Sequence, residues 1–104
     1  MLTGKQRSYL KKEAQPLQPK AIIGRAGLTD TVLTGIDQYL TVHELMKVSI
    51  QEEAELDAKE TANEVASRLH AEFVQAIGRR FVLYRRAKDP SKRQYEEALR
   101  SIGR

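Results

Sequence analysis

Gly24, Arg25, Ala26 and Gly27, with Thr29 and Asp30 close behind, set two glycines three positions apart around an arginine. Glycines at that spacing let a phosphate approach the backbone and allow torsions that turn N–H groups toward it, as in the G-x-x-G clamp that holds single-stranded nucleic acid. Arg25 adds a guanidinium able to pair with phosphate or stack on a base. Thr29 is a good helix N-cap, which brings the positive end of a helix dipole close by. The same residues also suffice for a plain turn from a strand into a helix, so the stretch alone fits both uses. It fits neither the G-x-x-x-x-G-K-[ST] nucleotide loop nor the G-x-G-x-x-G dinucleotide turn.

Other chemistry is thinly provided. His43 and His70 are the two histidines, one expected to open a strand and the other near a helix end, with no H-x₃-H or H-E-x-x-H spacing. The run Glu52-Glu53-Ala54-Glu55-Leu56-Asp57 lacks the alternating ligands and central glycine of a calcium loop and reads as the solvated first turn of a helix. With no cysteine there is no thiolate, metal thiolate site or disulfide. No nucleophile–base or carboxylate constellation is visible, so the expectation is a protein that is not an enzyme and that carries no catalytic residue, metal or cofactor.

At 104 residues the chain is long enough for one core. No apolar run is long enough for a membrane span and no export signal is visible, which predicts a cytoplasmic, monomeric protein without membrane contact. The net charge of +4 is unevenly spread. Residues 1–20 hold five basic and one acidic side chain, residues 29–78 three basic and ten acidic, and residues 79–104 nine basic and three acidic. If the cationic ends meet in space they form a face suited to a polyanion.

The elements that must position these groups follow from periodicity. Thr3 and Gln6 have capping-box spacing, and Leu10 and Ala14 recur at i and i+4, which predicts a helix over 4–14. Residues 20–24 read as a buried strand, and Thr29 opens a helix with Val32, Leu33, Ile36 and Leu40 on one stripe. Residues 43–51 alternate, with Met46, Val48 and Ile50 on one face. A third helix spans about 55–71, with Ala58, Ala62, Val65, Ala66 and Leu69 inward. Residues 72–78 and 80–86 form a hairpin through Gly78 and Arg79. The predicted fold is a small single-domain α/β sandwich, ordered α-β-α-β-α-β-β, with three helices on a mixed four-stranded sheet whose strand–helix–strand units cross over right-handedly. Behind it, Tyr95, Leu99 and Ile102 mark a short, weakly held helix with a Ser91 cap and Gln94.

The stretches LTGKQRSYLKKEAQPLQPKAIIGRAGLTDTVLTGIDQYLTVHELMKVSI and QAIGRRFVLYRR, over about residues 2–86, closely resemble the CRM domain in its stand-alone bacterial, YhbY-type form. The resemblance implies an RNA-binding domain over 1–87 and a basic tail over 88–104. It implies a sheet similar to that of the C-terminal domain of a bacterial translation initiation factor, and RNA contact by Gly24, Arg25, Ala26 and Gly27 with neighbouring basic surface. It further implies a non-catalytic protein acting on ribosomal RNA in large-subunit precursors. Lys5, Arg7, Lys11, Lys12 and Lys20 are the candidate phosphate contacts around the first helix, and Arg79, Arg80, Arg85 and Arg86 those of the hairpin. The alternatives are a module docking on ribosomal proteins through the Tyr95, Leu99 and Ile102 stripe, or an RNA chaperone or intron-splicing type of factor.

Overall fold

The computed structural model describes residues 2–103. In chain order the elements are α1 (Gly4–Ala14), β1 (Pro19–Ile23), α2 (Asp30–His43), β2 (Leu45–Ile50), α3 (Ala58–Leu69), β3 (Glu72–Ile77), β4 (Arg80–Tyr84) and α4 (Glu96–Ile102). Two 3₁₀ turns, Glu52–Ala54 and Pro90–Lys92, interrupt the connections. The strands form one sheet in the order β1-β2-β4-β3. β1 and β2 are parallel, and β4 runs antiparallel to both β2 and β3, so the last strand is inserted at the centre.

Local chemistry starts the helices where the spacing predicts. The Thr3 hydroxyl accepts from Gln6 N at 3.1 Å and the Gln6 side chain accepts from Thr3 N at 2.9 Å, a reciprocal capping box. Thr29 caps α2 through Val32 N at 3.2 Å, and Asp57 caps α3 through Glu60 N at 2.9 Å.

Because side chains alternate across a strand, the sheet supplies two cores. On one face Ile23, Met46, Val48, Ile50, Phe81 and Leu83 meet Ile36 and Leu40 of α2 and Ala58, Ala62, Val65 and Ala66 of α3. The small alanines let α3 lie close to the strands. On the other face Leu45, Val74, Val82 and Tyr84 meet Leu10 and Ala14 of α1 and Leu99 of α4.

Several local expectations are corrected. β1 is an edge strand with only Ile23 buried, because nothing covers its other face at Ile22. α2 runs on through His43, whose ring stacks on Tyr39 with centroids 4.2 Å apart, and β2 starts two residues later. The switch falls at Glu44, which adopts φ 66°. The acidic run forms a separate 3₁₀ turn, and α3 begins only after Asp57. In the tail Ser91 caps no helix: α4 starts behind Tyr95 without a side-chain cap, and Asp89 caps the preceding 3₁₀ turn, its carboxylate accepting from Ser91 N at 3.0 Å, which favours the charged form and holds its pKa below the ordinary value.

The tail is also more firmly held than its sequence suggests. Glu44 is fully buried, and its carboxylate accepts from Ala87 N at 2.7 Å and Gln94 N at 2.6 Å. Leu99 is buried, Tyr95 packs edge-on against Tyr84, and Gln6 Nε2 donates to Leu99 O at 2.9 Å. The Tyr95 and Leu99 part of the stripe thus turns into the second core instead of facing a partner. Burial first, and then the nearby Glu44 carboxylate, push the Tyr84 phenol up to about 12.

Candidate nucleic-acid interface

The strand order gathers three exits at one end of the sheet. β1 leaves at Ile23 into the 24–27 loop, β2 leaves at Ile50, and β3 turns into β4 through Gly78 and Arg79. Backbone bonds tie these exits together: Gln51 N donates to Ile23 O at 2.8 Å, and Ile50 N donates to Arg79 O at 2.7 Å. Arg25 on the loop and Arg79 and Arg80 on the hairpin therefore share this end of the molecule, all three exposed.

The loop itself is a tight turn closed by Gly27 N donating to Gly24 O at 2.9 Å, with Arg25 and Ala26 exposed at its corners. Each glycine has a structural reason. A Cβ on Gly24 would stand 3.1 Å from Gln51 Oε1, and Gly27 takes φ +76°, with open space around it. The glycines alone are thus explained by the turn, and a ligand is argued from what surrounds them. Asp30 puts a carboxylate in the first turn of α2, so the helix dipole is partly answered from within the chain. Cationic side chains must supply most of any pull on an anion.

The predicted basic residues divide into three groups. Arg25, Arg79 and Arg80 stand at the loop end. Lys20 lies on β1 where its register with β2 shifts, and Lys5, Lys11 and Lys12 lie on α1, whose end reaches Lys47: Lys47 Nζ donates to Gln15 O at 3.4 Å. Arg7, Arg85 and Arg86 each bond to another part of the chain, Arg86 at the surface. Arg7 Nε donates to Phe73 O at 3.3 Å. Arg85 joins α2 to the end of α3, with Nη1 at 2.7 Å from Asp37 Oδ1 and 2.8 Å from Leu69 O, and Nη2 at 2.9 Å from Asp37 O. Arg86 pairs with Glu96 of α4. Arg85 and Arg86 follow the far end of β4, away from the loop.

Ion pairing sharpens the division. Among the described residues the ion pairs use Arg68, Arg85, Arg86, Arg93 and Arg100. Lys5, Lys11, Lys12, Lys20, Arg25, Lys47, Arg79 and Arg80 have no acidic partner among the described residues, which keeps their charge available to an external anion. Lys47 was missed as a candidate by sequence reasoning. Its alternation with Ser49 put it on the solvent side of β2, and the structure shows that side to be a half-buried floor beside the end of α1. Among those residues no helix is long and apolar enough to cross a membrane, and no group of His, Asp or Glu side chains is placed to hold a metal ion.

Comparison with known proteins bears on the family and the fold. The CRS1 / YhbY (CRM) domain matches residues 2–85. A Bacillus subtilis protein named as a probable RNA-binding protein is 35% identical over 89 residues, covering 86% of this chain and 93% of its own. A Haemophilus influenzae protein named as RNA-binding is 37% identical over 89 residues, covering 85% and 89%. A Pseudomonas aeruginosa protein named as a probable RNA-binding protein is 31% identical over 91 residues, covering 88% of each. The solution structure of a hypothetical Staphylococcus aureus protein, described as a candidate RNA binder, superposes with a TM-score of 0.73 at 33% identity, covering 90% of this chain and 98% of that one. The mixed four-stranded α/β fold is shared, and with it the match over residues 2–85: this chain belongs to the CRS1 / YhbY (CRM) domain family.

Proposed function

We propose that the chain is a non-catalytic RNA-binding protein that engages ribosomal RNA in precursors of the large ribosomal subunit, as a cytoplasmic monomer. The observation that carries RNA binding is the convergence of the exposed 24–27 loop with Arg25, Arg79 and Arg80, none of them ion-paired among the described residues, at one end of the sheet. The names of the relatives support the same ligand class. The ribosomal assignment is supported by the resemblance of residues 2–86 to stand-alone bacterial members of the family.

In this reading Arg25 and Ala26 meet the RNA at the loop corners, with Gly24 and Gly27 setting the turn. Arg79 and Arg80 stand beside them, and Lys5, Lys11, Lys12 and Lys20 extend the cationic field. Arg7, Arg85 and Arg86 chiefly hold the fold. The domain proper is residues 1–87, with the tail over 88–104 bracing it.

The test is a charge reversal at the exposed corners. Arg25→Glu with Ala26→Glu leaves the melting transition unchanged and weakens RNA binding by more than about tenfold, and the wild-type affinity falls steeply with rising salt as counterions are released. Wild-type affinity in the variant would remove the loop from the interface. Crosslinking in growing cells addresses the particle: crosslinks concentrated on large-subunit ribosomal RNA support the assembly role, and crosslinks scattered over messenger RNA remove it while leaving RNA binding.

A further inference from the structure

On the face that α1 and α4 cover, one row of the sheet is left largely open, with Ser49 half-buried between exposed neighbours. Ile22, Ser49, Arg80 and Ile77 are successive partners across β1, β2, β4 and β3, so their side chains stand in a line on one face. With strands about 4.8 Å apart the row is about 14 Å long. Its ends, Ile22 at 59% and Ile77 at 66%, are the most exposed large apolar side chains among the described residues. The next row toward α1 is Lys47, Val82 and Gln75, where Ala14 and Gln15 close a hollow of about 250 Å³. No residue lining that hollow is acidic.

We infer that this open row is a second part of the RNA site and seats unpaired nucleotides. Base faces lie on Ile22, Ile77 and the Arg80 guanidinium, and phosphates lie against Lys47 and Arg79. The inference rests on the RNA-binding reading above and narrows it from RNA in general to single-stranded segments.

Three observations favour this occupant. Apolar side chains interleaved with unpaired cations match the two halves of a nucleotide, a flat base and a charged phosphate, and a guanidinium plane is itself a surface for an unstacked base. Duplex RNA offers mainly backbone and 2′-hydroxyl groups and leaves both isoleucines idle. The row is also continuous with the loop: Ile22 lies two residues before Gly24, and Ile77 directly precedes the Gly78–Arg79 turn. A strand held at the loop meets the row next. A protein surface would want a contiguous apolar patch, and here Ser49 and Arg80 separate the two isoleucines.

The experiment uses the full chain carrying Ile22→Ser with Ile77→Ser, two exposed positions, with a thermal melt as the control for folding. The probes are an unstructured single-stranded RNA and an RNA duplex of equal length. Single-strand affinity falls about tenfold, the size of one lost base contact, while duplex affinity and the salt slope stay as in the wild type. Arg80→Ser weakens single-strand binding too, through loss of the guanidinium plane on which a base lies. Wild-type single-strand affinity in the isoleucine variant, with the loop variant still defective, overturns the inference and leaves the RNA reading intact. Equal losses on both probes overturn the single-strand assignment, and retained RNA binding with lost ribosomal co-sedimentation shows that the row takes a protein instead. Failure of the wild type to bind either probe at low salt sinks the RNA reading and this inference with it.

Discussion

The two faces of the sheet are built for different ends. Under α2 and α3 the apolar side chains of β2 and β4, together with Ile23, are fully enclosed, and two of the cations over that layer, Arg68 and Arg85, are ion-paired. Under α1 and α4 the helices cover only the rows from Leu45 to Val82, leaving Ile22, Ile77 and several cations without ion pairs uncovered. The difference separates what stabilises the molecule from what it presents to a ligand.

The contrast predicts a graded series of effects on stability. Phe81→Ala, in the middle of the enclosed face, removes the largest fully buried side chain and costs about 3–5 kcal/mol in urea or guanidinium unfolding. A cost under about 1 kcal/mol would mean that this face is not the stabilising one. On the part-covered face, Glu44→Ala leaves the buried Ala87 N–H and the partly covered Gln94 N–H without their acceptor and costs about 1–3 kcal/mol. The tail then becomes sensitive to limited proteolysis, while RNA affinity holds near the wild-type value.

A smaller effect comes from alkali. The folded chain keeps the Tyr84 proton to about pH 12, whereas the unfolded chain releases it near 10. The unfolded state therefore binds fewer protons between those values, and this contribution to stability is complete below pH 10 and declines as pH rises to 12. Unfolding measured across that window falls less steeply in Tyr84→Phe than in the wild type. Identical slopes would place the phenol in solvent.

Short-range signals carried most of the fold. The Thr3 and Gln6 box, the Thr29 cap, the alternation of Met46, Val48 and Ile50, and the Gly78–Arg79 turn are each written within a few residues and found where their spacing puts them. What depends on distant partners was hidden. Glu44 looks like a surface carboxylate until residues more than forty positions later donate to it. Arg85 looks like a phosphate contact because its sign says nothing about Asp37 and the Leu69 carbonyl standing within reach. The 24–27 loop was legible as a motif, but the cations that gather around it depend on the strand order, and the bare row depends on where α1 ends.

That strand order has a consequence for synthesis. β4, central in the sheet, is the last strand made, and every earlier strand but β1 pairs with it directly. The first helix made likewise waits for Val74, Val82, Tyr84 and Leu99 to complete the layer it packs on. In a chain still emerging from the ribosome the sheet cannot be completed, nor α1 sheltered, until residues past 84 are free, and the contacts that close it are long-range ones. The cationic end formed by Arg25, Arg79 and Arg80 comes together only when β4 joins β2, so the surface proposed to meet RNA exists only after the last strand is in place.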